Sequence, residues 1–311
     1  MNIVITGGSG FVGSYLCEKL INDGHEIIVV DNLLTGSTEN INHLMQNENF
    51  LFIEHDVQNH IEIETKVDYV LHFASAASPK AYTEHPVNTL KAGSVGTINT
   101  LGLAKKHDAE YLLASTSEVY GDPLISPQTE EYWGNVNPNG ERSMYDEAKR
   151  FAEAAVATYS RSYDLKTKIV RIFNTYGPRM QLNDGRVVTN FIVQALKNEN
   201  ITIYGDGSQT RSFSYVEDTV AGIISLMNSS EYDVFNIGNP NEMTVGQLAE
   251  KIIELTDSTS EIKYLELPND DPKQRKPDIT KAKTKLNWEP KVNLEDGLTK
   301  TIKWVEGQLS K

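Results

Sequence analysis

The stretch VITGGSGFVGS, residues 4 to 14, decides the fold of this chain. It starts as a short apolar strand and continues as a helix, and Gly8, Gly10 and Gly13 at the junction have the spacing G-x-G-x-x-G. Glycines there permit a tight turn, and the helix N-terminus offers free N–H groups to a phosphate. The stretch predicts a dinucleotide-binding loop, whose candidate contacts are Gly7, Gly10, Phe11, Val12 and Gly13.

Outward from this loop, short apolar runs alternate with helical patterns as far as about residue 177. The runs include EIIVVD, VDYVLHFAS and TKIVRIFN, each followed by polar, helix-forming sequence. Continuous apolar strands separated by helices predict a parallel sheet covered on both faces. We therefore expect a Rossmann-type, doubly wound α/β domain over residues 1–177 and a smaller C-terminal substrate-binding domain over 178–311, with 213–236 able to pack back on the first.

Composition limits the possible partners. The formal charge of −14 over 311 residues disfavours nucleic acid and anionic membranes, which bind through cationic contacts. The single cysteine, Cys17, excludes an internal disulfide, and the lack of a CxxC or His/Cys cluster argues against a bound metal. Without a signal-peptide pattern or an apolar run long enough to span a bilayer, we expect a soluble, cytoplasmic protein.

The ends of the next strands predict how a dinucleotide would be held. Asp31 ends the second strand, where an acid accepts hydrogen bonds from the adenosine ribose. Asn32 and two leucines follow, so no cation stands ready to neutralise a 2′-phosphate, and NAD is favoured over NADP. Asp56 ends the third strand near the expected adenine position. The further candidate contacts are Val57 and Ala74.

Two tyrosine–lysine pairs have the spacing of one helix turn. YDEAK places Tyr145 four residues before Lys149, and YLCEK does the same at residues 15–19. Spacing alone does not separate them, because residues i and i+4 share a helix face. YLCEK follows the phosphate loop directly, on the side away from a nicotinamide, so we interpret it as an ordinary helix turn.

The second pair has the partners that catalysis requires. Thr116 lies in ASTSEVYG, at the end of a strand, where open α/β sheets bind ligands. Thr116, Tyr145 and Lys149 together resemble the Ser/Thr, Tyr, Lys group of the extended short-chain dehydrogenase/reductase superfamily. A nearby ammonium and a cationic nicotinamide would stabilise the tyrosine phenolate, which could then take a sugar hydroxyl proton. Tyr145 and Lys149 are also candidate cofactor contacts, with Lys149 holding the nicotinamide ribose, and Thr116 would hydrogen-bond the reacting oxygen.

Six motifs extend the resemblance over nearly the whole chain, to the UDP-glucuronate decarboxylases. They are STSEVYGDP, YDEAKRFAE, RIFNTYGPRM, DGRVVTNFIVQAL, YGDGSQTRSF and DDPKQRKPDI. The first three are shared with epimerases and dehydratases, whereas the last three are more particular. The resemblance implies oxidation at C4 of UDP-glucuronate, loss of CO2 and return of the hydride, giving UDP-xylose with NAD recycled.

The resemblance also implies roles for individual residues. Ser117 stands where TDP-glucose dehydratases have aspartate, and Glu118 and Arg211 match residues that attend the carboxylate and help to reprotonate C5. The remaining substrate contacts implied are Tyr82, Lys91, Asn174, Arg179, Val188, Asn190, Tyr204, Gln209 and Arg275. Two departures lie near the cofactor: Ala76 replaces a common proline and Gly93 a common asparagine.

Other interpretations stay open on sequence alone. The same scaffold serves nucleotide-sugar 4-epimerases and 4,6-dehydratases, which would release no CO2. From another class, the chain could be a catalytically silent NAD-binding regulator, although the intact Thr116, Tyr145 and Lys149 argue against it. By analogy with the superfamily, the helices near 88–106 and 145–162 are expected to form a homodimer.

Overall fold

A parallel sheet organises the chain, which is described here by a computed structural model over residues 1–266 and 274–310. The strands are β1 (Asn2–Thr6), β2 (Glu26–Asp31), β3 (Phe50–Glu54), β4 (Tyr69–His72), β5 (Glu110–Thr116), β6 (Thr167–Ile172), β7 (Thr175–Tyr176), β8 (Ile201–Tyr204), β9 (Thr210–Ser212), β10 (Ser214–Tyr215), β11 (Val234–Ile237), β12 (Glu242–Thr244), β13 (Ile262–Leu265) and β14 (Gln274–Arg275). Seven of them form the central sheet in the order β11-β6-β5-β4-β1-β2-β3. All its strand pairs are parallel. This confirms the predicted doubly wound fold.

The helices cover this sheet and build the C-terminal part. They are α1 (Phe11–Asn22), α2 (Pro79–Glu84), α3 (Pro86–Lys91), α4 (Thr97–His107), α5 (Ser143–Tyr163), α6 (Val187–Leu196), α7 (Val216–Met227), α8 (Val245–Thr256), α9 (Thr280–Leu286) and α10 (Leu294–Leu309). None of the helices in the described ranges combines the length and apolar character needed to cross a membrane.

Alternate side chains of each central strand enter two different cores. In β1, Ile3 and Ile5 join one apolar cluster and Val4 joins the other, and β2 divides its residues in the same way. Successive side chains of a strand point to opposite faces, and here both faces are covered by helices. This explains why the strands are continuous apolar runs rather than alternating patterns.

The chain beyond residue 177 contributes both to the central sheet and to the small sheets outside it. Strand β11 pairs with β6 at the edge of the central sheet, and α7 packs against α1 and β6. Parts of the segment 213–236 therefore pack against the central sheet and helix α1. Small sheets of β10-β7, β12-β9-β14 and β13-β8 lie outside the central sheet. The division into domains at residue 177 stays a prediction.

The helix expected across residues 88–106 is interrupted. Helices α3 and α4 are joined by a π-helical stretch, Ala92–Gly96. Gly93 lies within it against Ala148 of α5, and a Cβ on Gly93 would lie 2.7 Å from the Ala148 Cβ. The unusual glycine thus leaves the space that Ala148 occupies, so these two residues are matched in size across the contact between the helices.

Candidate active site

A cavity of about 1240 Å³ lies at the carboxyl ends of the central strands. Its wall includes Gly7 after β1, Asp31 at the end of β2, Ala74 after β4 and Thr116 at the end of β5, and it continues to residues of α6, β8 and β9. Strand order reverses between β1 and β4, and ligands of open α/β sheets bind at such a switch point. The cavity therefore lies where the fold places its ligands.

The glycine loop is closed so tightly that side chains do not fit. Gly7 has a φ of 74°, which favours glycine, and a Cβ on Gly13 would lie 2.2 Å from the Gly7 carbonyl oxygen. Helix α1 starts at Phe11, and its N-cap residue, Gly10, makes no side-chain hydrogen bond. The first-turn amides of α1 therefore face the cavity from a bare helix N-terminus, which suits a pyrophosphate.

Two carboxylates extend this wall. Asp31 accepts hydrogen bonds from the Ser9 and Leu33 amides at 3.0 and 2.9 Å, and Asp56 accepts one from the Asn32 side chain at 3.0 Å. Burial raises the pKa of Asp31, while the amide hydrogen bonds oppose that rise. The neighbouring wall is formed by uncharged residues: Asn32, Leu34, Thr35, Gly36 and Ser37. This surface fits a ribose with free hydroxyls better than one carrying a phosphate.

Helix α5 is attached to the end of β5 by three successive strand residues. The Lys149 ammonium donates to the Ala114 carbonyl at 2.8 Å, and the Ser115 hydroxyl donates to Glu153 at 2.5 Å. The hydroxyls of Thr116 and Tyr145 are hydrogen-bonded to each other. Because Tyr145, Lys149 and Glu153 are spaced by four residues, one helix face reaches all three strand positions. The structure thus brings the predicted Thr116, Tyr145 and Lys149 together on the cavity wall.

The environment of this trio controls its protonation. Burial raises the pKa of Tyr145 to about 12, against the lowering effect of the Thr116 hydrogen bond, and burial lowers the pKa of Lys149 to about 8. Near neutral pH the tyrosine is therefore neutral and the lysine largely charged. The Tyr82 ring stacks on the Tyr145 ring at a centroid distance of 5.2 Å, which fixes the plane of the phenol.

The other tyrosine–lysine pair has none of these partners. Lys19 is exposed and forms an ion pair with Asp23 at 2.6 Å, and the Tyr15 hydroxyl donates to the Pro178 carbonyl. Neither side chain is among those that line the cavity. YLCEK is an ordinary helix turn, as its position in the sequence predicted.

Glu118 lies beside the trio within a group of arginines. Its carboxylate pairs with Arg142 and, at 3.2 Å, with the Arg275 guanidinium, and the charge of Arg211 also acts on it. Burial favours the neutral acid, but the three arginines outweigh burial and lower the pKa of Glu118. The sequence prediction missed Arg142, although its place three residues before Tyr145 puts it on the adjoining helix turn.

The structure places nearly all the predicted substrate contacts on the same cavity. They are Tyr82, Asn174, Arg179, Val188, Asn190, Tyr204, Gln209, Arg211 and Arg275, and the candidate catalytic residue Ser117 also lines the cavity. Within this set the Arg179 guanidinium lies 4.4 Å from the Tyr15 ring centroid and pairs with Glu18 at 2.8 Å, so it is held against α1. The first four residues of the motif DDPKQRKPDI, 270–273, lie outside the described residues.

Lys91 is the exception among the predicted contacts. It is exposed at the end of α3, whereas Thr89 and Ala92 are the neighbours that line the cavity. The side chain lies on the outer face of the helix because the inner face is turned toward the cofactor end of the cavity. Its role as a substrate contact stays a prediction.

One further cation reaches the site without having been predicted. Arg186, the residue before α6, lines the cavity and donates to the Ala77 carbonyl at 3.1 Å. Its charge helps to lower the pKa of Tyr145 against the effect of burial. The motif DGRVVTNFIVQAL contains Arg186, but nothing in its local pattern distinguishes it from a surface residue.

Fold and site together define a Rossmann-type enzyme of the short-chain dehydrogenase/reductase class, with a Thr, Tyr, Lys trio. The family model described as GDP-mannose 4,6 dehydratase matches residues 4–301. UDP-glucuronic acid decarboxylase 1 of Xenopus tropicalis is 53% identical over 307 residues, which cover 99% of this chain and 72% of that protein. The chain therefore belongs to the GDP-mannose 4,6 dehydratase family and, within it, to the UDP-glucuronic acid decarboxylases, which confirms the resemblance drawn from its motifs.

Solved structures agree with this fold over the whole length. UDP-glucose 4-epimerase of Thermotoga maritima, solved with UDP-glucose, has a TM-score of 0.92 and 34% identity, covering 99% of this chain and 100% of that one. UDP-glucuronic acid 4-epimerase of Bacillus cereus, solved with UDP-glucuronic acid and NAD, has a TM-score of 0.88 and 26% identity, covering 99% and 100%. The same scaffold thus holds a UDP-sugar in one relative and a uronic acid with NAD in another.

Proposed function

We propose that this chain is an NAD-dependent decarboxylase that converts UDP-glucuronate to UDP-xylose through a 4-keto intermediate. The observation that carries the proposal is the half-buried Glu118, held among Arg142, Arg211 and Arg275 in the cavity that Tyr145 also lines. Cations gathered at this point suit a sugar that bears a carboxylate, because an arginine fork matches its two oxygens. The relatives that are 53% identical carry this activity in their names.

The residues that would hold NAD fit it. The loop of Gly7, Gly10 and Gly13 leaves room only for a close backbone approach to a pyrophosphate, and Asp31 stands at the expected ribose position. When bound, NAD supplies the acceptor for a hydride from C4 and its later return, so the reaction involves no net oxidation. Its cationic ring also favours the Tyr145 phenolate.

Tyr145 would act as the base at the C4 hydroxyl. The pKa of about 12 that burial gives it in the free protein is too high for a base, so the positive charge of the bound cofactor must lower it. Thr116, hydrogen-bonded to Tyr145, would orient the reacting oxygen. Lys149, which would stabilise the Tyr145 phenolate, is held in position by its hydrogen bond to the Ala114 carbonyl.

Decarboxylation follows from the position of the ketone. A ketone at C4 is β to the C6 carboxylate, so the electrons of the broken C5–C6 bond pass into an enolate as CO2 leaves. Arg211 and Arg275 would hold the carboxylate in line with this enolate, and Glu118 would lie near C5 for its reprotonation. Tyr145 would then return its proton to the C4 oxygen as the hydride comes back.

We further propose that the protein is a cytoplasmic homodimer. Leu90 of α3, Val95 of the π-helical stretch and Phe151 of α5 are 45%, 44% and 46% exposed, and these elements pack against one another. Large apolar side chains grouped on neighbouring helices mark an interaction surface. A second copy seated on α3, α4 and α5 would cover them.

The proposal is tested with UDP-glucuronate labelled at the C6 carboxyl, incubated with and without added NAD. Release of label together with a pentose product establishes decarboxylation, and activity without added NAD shows that the cofactor stays bound. Label retained on an epimerised sugar would refute the decarboxylase and favour a 4-epimerase, which the likeness to the Bacillus cereus enzyme makes the second candidate. An unchanged sugar would favour the silent NAD-binding regulator. The Tyr145→Phe variant is the control for chemistry at this site.

A further inference from the structure

Asp146 is a buried acid that none of the assigned roles uses. It follows Tyr145 in α5, is only 8% exposed, and is not among the residues that line the cavity. Within the described residues, its Oδ1 atom is buried and makes no hydrogen bond. A buried carboxylate oxygen without a donor is costly, so an acid in this place favours the neutral, protonated form.

The charges around Asp146 act in the same direction. Glu118, in the turn after β5, and Glu147, on α5, both raise the pKa of Asp146, while Arg142 and Arg275 lower it. Burial is the largest influence, and together these effects raise the pKa to about 7. The arginines instead keep Glu118 ionised. Two neighbouring carboxyl groups thus differ in protonation, one holding a proton near neutral pH and the other ready to accept it.

The proposed reaction requires such a proton. Loss of CO2 breaks the C5–C6 bond and leaves its electron pair in the enolate, and a new C5–H bond must replace it. Tyr145 does not supply this proton, because the one it takes from the C4 hydroxyl returns to the C4 oxygen. Each turnover therefore consumes one additional proton, which a proton donor near C5 has to supply.

We propose that Asp146 is a positioning residue that holds this proton behind Glu118 and passes it to Glu118, which delivers it to C5. Asp146 then recovers a proton from solvent, so that no group changes its charge over a full cycle and no oxidant or reductant is needed. This inference rests on the proposed decarboxylase function and assigns the source of the proton that the function requires.

The test compares Asp146→Asn with Glu147→Gln. The first variant keeps the size of the side chain but removes its exchangeable acid proton, and the second neutralises the adjacent, solvent-facing carboxylate of the same helix. For Asp146→Asn we expect kcat to fall about tenfold or more with KM unchanged, and the ionisation near pH 7 to disappear from the kcat profile. Infrared spectra at neutral pH should lose the carbonyl band of a protonated carboxyl. Glu147→Gln should keep both features.

Each outcome decides the question. A wild-type kcat, or a retained ionisation near neutral pH, in Asp146→Asn overturns the inference. A fall in kcat accompanied by a comparable change in KM and by loss of bound NAD also overturns it, because that result would indicate a structural role for Asp146. If the asparagine variant does not fold, Asp146→Ser removes the same proton without adding volume, and the same criteria apply. If the wild-type protein releases no CO2 from UDP-glucuronate, the proposed function itself fails, whereas release by both wild type and Asp146→Asn at equal rates refutes this inference alone.

Discussion

Gly13→Ala tests whether the glycine loop holds a pyrophosphate. A Cβ on Gly13 would lie 2.2 Å from the Gly7 carbonyl oxygen and 2.9 Å from the Gly8 Cα, whereas ordinary contacts start at 3.4 Å. Both neighbours are backbone atoms of the loop, so no flexible side chain can move aside. The start of α1 must therefore shift by about 1 Å away from the loop.

The size of the effect follows from this shift. Overpacking of this kind costs about 1–3 kcal/mol of stability. Losing one amide hydrogen bond to a charged phosphate oxygen costs about a further 1.5–3 kcal/mol of binding, or roughly a ten- to a hundredfold loss in NAD affinity. We expect Gly13→Ala to purify with less NAD per chain than the wild type and to melt at a lower temperature.

The assay measures NAD released by acid from each purified protein, followed by NAD titration calorimetry and thermal unfolding by circular dichroism. Gly307→Ala is the matched control, because Gly307 is exposed in α10 and a Cβ there meets nothing within 4 Å. This control should retain NAD and gain up to about 1 kcal/mol of helix stability. Wild-type NAD affinity in Gly13→Ala would refute the assignment of this loop.

Three further predictions concern the catalytic trio and the helix surface. Tyr145→Phe removes the base, so kcat should fall by about 10²–10⁴-fold while NAD content, measured after acid release, stays unchanged; substantial remaining turnover would contradict the assignment. Activity requires the Lys149 ammonium, whose pKa is about 8, so kcat/KM measured against pH should decline as pH rises through that value, and a flat profile to pH 10 would speak against it. Phe151→Glu places a charge on the exposed apolar surface and should convert a dimer into monomers in sedimentation velocity, while Glu147→Gln on the same helix should not; a monomeric wild type would refute the interface.

Much of the cofactor site could be predicted from the sequence. The glycine spacing, the acid at the end of β2 and the pair of Tyr145 and Lys149 are all short-range patterns, in which the distance along the chain fixes the distance in space. A strand end, a helix start and one helix turn have standard geometry. Gly10, Gly13, Asp31, Tyr145 and Lys149 all line the cavity.

Residues whose roles depend on contacts between distant segments were harder to predict. Arg142 meets Glu118 only because α5 docks on the end of β5. The pKa of Asp146 depends on its burial and on the charges of Glu118, Arg142 and Arg275, which come from different parts of the chain. Lys91, which the resemblance implied as a substrate contact, lies exposed at the end of α3, outside the residues that line the cavity.

The sequence by itself determined the doubly wound class, the dinucleotide loop and the trio of Thr116, Tyr145 and Lys149, because apolar periodicity and local spacing are properties of neighbouring residues. Tertiary structure alone decided which cations surround Glu118, which face of α3 meets the cavity, and that Asp146 lies out of water beside another acid. Burial and long-range charge set these properties, since a pKa depends on every group that packs around the side chain, wherever it stands in the chain.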